Sequence, residues 1–193
     1  EDDNGCTTVY SPVNIGEPSP VTLDLSILSD YNGVDISCFG YSDAVVLANA
    51  GGGTGLYTFE WFNSTNPNDI RTFTSASFDT LSLVPQDVYS VSVTDDRGCT
   101  AEDNITVNQP DQIIVDFENV TNIRCEGNND GQATAIYTGG LGFGNYAVSW
   151  FDSDNNFISL IAQASNLSAG DYSATYTDNN GCVGTGLISI DYS

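Results

Sequence analysis

Polar and apolar residues alternate along most of this 193-residue chain. Tyr57, Phe59 and Trp61 are spaced by Thr58 and Glu60, and Tyr89, Val91 and Val93 by Ser90 and Ser92. A period of two puts one set of side chains on a single face of an extended strand. Asp, Asn and Gly fill the intervals between such runs, the usual composition of tight turns. No window shows the recurrence of an amphipathic helix. The pattern predicts short, half-buried strands joined by turns, and several of them per roughly 90 residues predict β-sandwiches.

The pattern is also written twice. "VYSVSVTDDRGCT" at 88–100 returns as "DYSATYTDNNGCV" at 171–183, and "EDDNGCTTV" at 1–9 reads as the tail of a third copy. Upstream, "DISCFGYSDAVVLANAGGGTGLYTFEWF" matches "NIRCEGNNDGQATAIYTGGLGFGNYAVSWF". Shared landmarks are Cys38 and Cys125, Asp43 and Asp130, glycine runs at 51–53 and 139–140, Tyr57 and Tyr146, and Trp61 and Trp150. Leu83 and Leu167, Tyr89 and Tyr172, and Cys99 and Cys182 complete the series. Such self-similarity marks a tandem architecture. Proline-bearing junctions around Pro18, Pro20 and Pro110 divide the chain into a remnant of a preceding repeat (1–18), one sandwich repeat (19–110) and a second (111–193). The tyrosines and tryptophans lie on alternating strand positions, which assigns them to the cores.

Composition narrows the function. Twenty-six acidic residues face three arginines and no lysine, a formal charge of -23. That balance excludes nucleic acid as a partner, because phosphate binding needs basic side chains, and excludes a basic patch for anionic lipid. It describes a soluble, self-repelling surface. No apolar run is long enough to span a membrane. The opening Glu and the closing "GLISIDYS" lead to the expectation that the chain is a piece of something longer. Five cysteines in two recurring contexts point to disulfides. Zinc fails on spacing, for there is no CxxC and no histidine. Disulfides place the protein in an oxidising, extracellular compartment. Cys, Trp and Cys follow one another in each copy as in immunoglobulin domains, but the Trp and Tyr spacings differ, so the expected fold is an immunoglobulin-like sandwich without the antibody inter-sheet bridge.

Together these residues resemble the SprB repeat. Copy two carries the resemblance through Cys125, Gly127, Asn129, Asp130, Gly131, Gly139, Gly140, Tyr146, Trp150, Leu167, Gly170, Tyr172, Thr177, Asp178, Asn180, Gly181 and Cys182. Copy one departs at Tyr41-Ser42-Asp43, carries an extra glycine, and has Val84-Pro85-Gln86-Asp87 where copy two has "SAGD". The resemblance implies a segment of a giant cell-surface adhesin of gliding Bacteroidota. Such a protein is exported by type IX secretion, held at the outer membrane through its other parts, and driven by the motility machinery. Its nearest partners are neighbouring repeats of the same chain.

Candidate chemistry is sparse. Without histidine or lysine the usual general bases and nucleophilic triads cannot be assembled, so no catalytic residue and no enzyme is expected. No cofactor is expected either, apart from Ca²⁺ as an alternative. The Ca²⁺ candidate is the "DSDNN" turn, where Asp152, Asp154 and Asn156 alternate, although the following glycine and distal glutamate of an EF-hand are missing. Asp2, Asp3, Asp95, Asp96 and Asp178 read as formers of the Gly-Cys turns. Phe39, Tyr41 and Phe143, in the less regular loops, are the candidate contacts for surface polysaccharide. For the disulfides, recurrence at similar separation favours a staple within each repeat, Cys38 to Cys99 and Cys125 to Cys182, which leaves Cys6 to a partner in the preceding copy. The alternative joins Cys6 to Cys38 and Cys99 to Cys125. Strand counting adds a condition: five intervening strands would set the two cysteines of one repeat at opposite ends, so a within-repeat bridge requires a departure from the immunoglobulin-like order.

Overall fold

The computed structural model describes residues 3–7, 9, 11–13, 15–141 and 147–193. Phe143 and Tyr146 lie outside the described residues, as does Asp2. The strands of the first half are β1 (Thr22–Ile27), β2 (Ala44–Gly51), β3 (Tyr57–Asn63), β4 (Arg71–Ser75), β5 (Phe78–Val84), β6 (Asp87–Asp95) and β7 (Thr100–Val107). Those of the second are β8 (Ile114–Thr121), β9 (Gly131–Thr138), β10 (Ala147–Asp152), β11 (Phe157–Ser159), β12 (Gln163–Leu167), β13 (Gly170–Thr177) and β14 (Val183–Ile190). No helix occurs among the described residues.

Each half is a two-sheet sandwich with the same order. Strands β1-β2-β5 face β4-β3-β6-β7, and β8-β9-β12 face β11-β10-β13-β14, with every ladder antiparallel. Strand β4 pairs with β3, whereas in antibody constant domains the fourth strand joins the first, second and fifth. The sandwiches are therefore immunoglobulin-like with the fourth strand switched between sheets.

The alternating pattern explains the core. Phe59, Trp61, Tyr89, Val91 and Val93 from β3 and β6 meet Ala44, Val46, Ala48 and Leu81 from β2 and β5. Trp150, Tyr172, Ala174 and Tyr176 meet Ala133, Ala135, Ala164 and Leu167 in the second sandwich. Trp61 and Trp150 are 2% and 0% exposed, so both are core residues and neither forms a sugar platform. Their indole N–H groups are satisfied, by Asp79 Oδ2 at 2.8 Å and by Ile161 O at 3.1 Å. Truncating such a buried Trp to alanine costs about 3–5 kcal/mol.

The tyrosines contribute more than bulk. Tyr89 Oη donates to Pro85 O at 2.9 Å, and Tyr172 Oη to Ser168 O at 3.1 Å, each four residues upstream at the turn into the sixth strand. That is a tyrosine corner, an immunoglobulin-like device that spacing to the cysteines conceals.

Seven alternating strands have a directional consequence. An odd number of antiparallel passes brings the chain in at one end, here called upper, and out at the lower end. At each upper end a glycine pair receives the incoming chain: Gly53 N donates to Ser19 O and Gly140 N to Asp111 O, both at 2.9 Å. A Cβ on Gly52 or Gly139 would stand 1.9 Å from the carbonyl oxygen of Pro20 or Gln112. The repeated glycines are sites of close backbone approach.

Candidate functional site

The upper end of each sandwich is organised by one carboxylate. Asp178 Oδ1 accepts from Asn180 N and Cys182 N, both at 2.9 Å, and Oδ2 accepts from Leu141 N at 3.0 Å. Asp95 repeats the arrangement: Oδ1 accepts from Arg97 N (2.9 Å) and Cys99 N (2.8 Å), and Oδ2 from Thr54 N (2.9 Å). The amide of Cys99, followed by those of Thr54 and Arg97, holds the Asp95 carboxyl below its ordinary range. Both aspartates are buried, and both tie the sixth-to-seventh-strand hairpin to the glycine loop. Turn formation, the role expected of them, is what they perform. Gly98 and Gly181 complete these turns at φ 83° and 82°, and Gly5 holds φ 77° in the corresponding turn near the start of the chain.

The lower end carries the first-cysteine loop. Ser37 N donates to Asp43 Oδ1 at 3.1 Å and Tyr41 N to Cys38 O at 3.1 Å. In the second sandwich Arg124 N donates to Asp130 Oδ1 at 3.3 Å and Asn128 N to Cys125 O at 3.1 Å. Gly40 and Gly127 match at φ 78° and 83°. The cysteine turn thus carries the same two bonds in both copies, within a loop that spans 28–43 in the first and 122–130 in the second.

Where the lower end of the first sandwich meets the upper end of the second, these two structures are joined. Cys38 is disulfide-bonded to Cys182, with Cα atoms 5.5 Å apart and a sequence separation of 144. Asn180 Nδ2 donates to Tyr31 O (3.1 Å) and Ser37 O (3.2 Å), and Asn32 Nδ2 donates to Asn180 Oδ1. The connecting segment is tied down too: Asn108 N donates to Asp35 Oδ2 and Gly40 N to Gln109 Oε1, both at 2.8 Å. Pro110, next in the chain, is buried.

The bond corrects the pairing expected from recurrence. Neither Cys38–Cys99 with Cys125–Cys182 nor the alternative Cys6–Cys38 with Cys99–Cys125 is present; Cys99 and Cys125 are exposed free thiols, and Cys6 is exposed. The reason is the strand count. Five strands separate Cys38 from Cys99, β2 to β6, and five separate Cys125 from Cys182, β9 to β13, so each pair lies at opposite ends of its own sandwich. The end that faces Cys38 belongs to the next repeat.

The other candidate residues fall in different places. Asp152 Oδ1 accepts from Asp154 N (3.0 Å) and Asn156 N (2.8 Å), and Oδ2 accepts from Asn156 Nδ2 (3.0 Å). These bonds, that of the Asn156 side chain first, lower the Asp152 pKa. The trio closes the hairpin between β10 and β11. Among the described residues no three His, Cys, Asp or Glu side chains converge as a metal site. Phe39 and Tyr41, 47% and 57% exposed, stand beside the disulfide. They line a junction cleft of about 220 Å³ with Pro110, Gln112, Gly140 and Val183.

Comparisons with known proteins follow from this fold. A 1.5-MDa bacterial ice-binding adhesin structure shares 13% identity at TM-score 0.44, over 92% of this chain and 67% of that one. The mouse nectin-like molecule 4 ectodomain shares 7% at TM-score 0.39, over 91% and 65%. A biofilm-associated protein BSP domain shares 15% at TM-score 0.28, over 78% and 28%. This chain thus spans about two thirds of the first two and less of the third. All three scores stand below 0.5, and the fold assignment rests on the strand order alone. Comparison with curated proteins yields no match. A family model does match: residues 117–155, from β8 through Cys125 and Trp150 to the Asp152 turn, are similar to the SprB repeat.

Proposed function

We propose that this chain is a non-catalytic spacer of a cell-surface adhesin, a stack of sandwiches that transmits tension along a longer protein. The junction carries the reading: the chain enters each sandwich at one end and leaves at the other, and Cys38–Cys182 locks consecutive sandwiches together. A disulfide persists in oxidising compartments, which supports an extracellular location. A charge of -23 keeps such stacks apart from one another in solution. No helix among the described residues is long and apolar enough to cross a membrane. The SprB match supports the finer reading of a gliding-motility adhesin exported by type IX secretion and held at the outer membrane through other parts of its chain.

A second reading has one observation in its favour. Phe39 and Tyr41 flank the junction cleft and present half-exposed rings to solvent, a disposition suited to stacking on a sugar. A glycan array probed with the intact chain separates the two. The spacer reading expects no retention. Retention that disappears on Phe39→Ala or Tyr41→Ala would replace it with a glycan-binding role.

A further inference from the structure

The two exposed thiols occupy the unused halves of the junction. Cys99 stands at the upper end of the first sandwich in the turn closed by Asp95, as Cys182 stands in the turn closed by Asp178. Cys125 stands at the lower end of the second sandwich in the loop closed by Asp130, as Cys38 stands in the loop closed by Asp43. Hydrogen bonds and glycine φ values agree between the copies. One junction of this construction is present in the molecule, and it makes the bond.

We infer that the bond is a rule of the array: the first cysteine of each repeat pairs with the last cysteine of the repeat that follows. Cys125 is then the acceptor site for the next repeat, and Cys99 the site for the preceding one. The partner is a further copy of this same repeat, docked end to end. Arg97 occupies the position of Asn180, whose side chain donates to Tyr31 O and Ser37 O across the observed junction. Its guanidinium carries the N–H donors that a contact with the corresponding loop carbonyls of the preceding repeat would use. The chemistry is a two-electron oxidation. Two thiols lose two protons and two electrons to a disulfide oxidant of the compartment, which is reduced to two thiols as the S–S bond forms. The inference rests on the paired ends and not on the spacer reading.

The register for a test is given by the repeat itself. Asp111, the counterpart of Ser19 at the glycine loop, lies twelve positions after Cys99. A polypeptide in which residues 19–193 of a second copy follow Ser193 directly keeps that spacing. It is refolded with oxidised and reduced glutathione, alkylated and digested without reductant. The expected map contains Cys38–Cys182 in both halves and a new peptide joining Cys125 of the first half to Cys99 of the second. The unextended chain, treated alike, keeps both thiols open to alkylation. Cys38–Cys182 formed in both halves with Cys125 and the second Cys99 still alkylated would overturn the inference, as would Cys125 bonded to any other cysteine. Should the extended chain fail to form Cys38–Cys182, an equimolar mixture of Cys99→Ser and Cys125→Ser variants of the unextended chain replaces it. A mixed Cys125–Cys99 dimer supports the rule, and its absence at high protein concentration contradicts it.

Discussion

Tyr89 and Tyr172 show how one side chain serves two purposes. Their rings fill the cores while their hydroxyls close the turn into the sixth strand. Burial, joined by the charge of Asp87, pushes the Tyr89 phenol up to about 12, so the hydroxyl remains a donor across the physiological range. The core role is legible in the alternation of β6 and β13. The corner role is not, because it is defined from the start of a strand, whereas the visible landmark is a cysteine ten residues away. Tyr89→Phe removes the bond to Pro85 O and Tyr172→Phe those to Ser168 O and Ser168 Oγ, with the ring left in place, a loss of about 1 kcal/mol per bond. Thermal melting followed by circular dichroism should fall by several degrees in each variant. A pair of unchanged melting temperatures would show that the corner bonds add nothing.

At the scale of strands and hairpins, aspartate closes the turns. Asp87 accepts from Thr65 N at 3.1 Å, Val88 N at 2.7 Å and the Ser64 hydroxyl. Burial pushes its pKa up, but these bonds prevail and bring it to about 2. Asp95 and Asp152 are lowered as well. A carboxylate whose folded pKa lies below the unfolded value, near 4, stabilises the protein above that value. Its contribution is lost as pH falls through the folded pKa. For Asp95 the comparison with Asp95→Asn isolates the effect from the general relief of charge repulsion. The wild type should melt higher at pH 7, and the gap should narrow between pH 4 and pH 2. A gap of constant size over that range would rule out the carboxylate charge as its source. The turn role of Asp95 is readable from the Gly-Cys pair that follows it, whereas Asp87, between Gln86 and Val88, carries no such signal. The glycine pairs are recognisable as landmarks, but their cause is not: Gly52 and Gly139 answer to a chain segment roughly 30 residues upstream that only the folded molecule brings against them.

For the molecule as a whole, the pairing of the ends decides how force travels. Tension applied between the chain ends follows the covalent path to Cys38, across the bond, and outward from Cys182. The chain between them, from β2 to β13, is bypassed. Most strands of both sandwiches are therefore shielded, which suits a spacer under shear. The all-β sandwich character and the core placement of Trp61, Trp150, Tyr89 and Tyr172 are legible in the periodicity. The disulfide is not, because recurrence describes what each repeat owns, while pairing depends on which ends meet. Five strands between Cys38 and Cys99 place them apart, and the neighbouring repeat supplies the nearer sulfur. Non-reducing peptide mapping of the oxidised chain, with free thiols alkylated before digestion, tests this directly. A crosslinked peptide joining Cys38 to Cys182, with Cys99 and Cys125 alkylated, is the predicted result. Peptides joining Cys38 to Cys99 and Cys125 to Cys182 would contradict it.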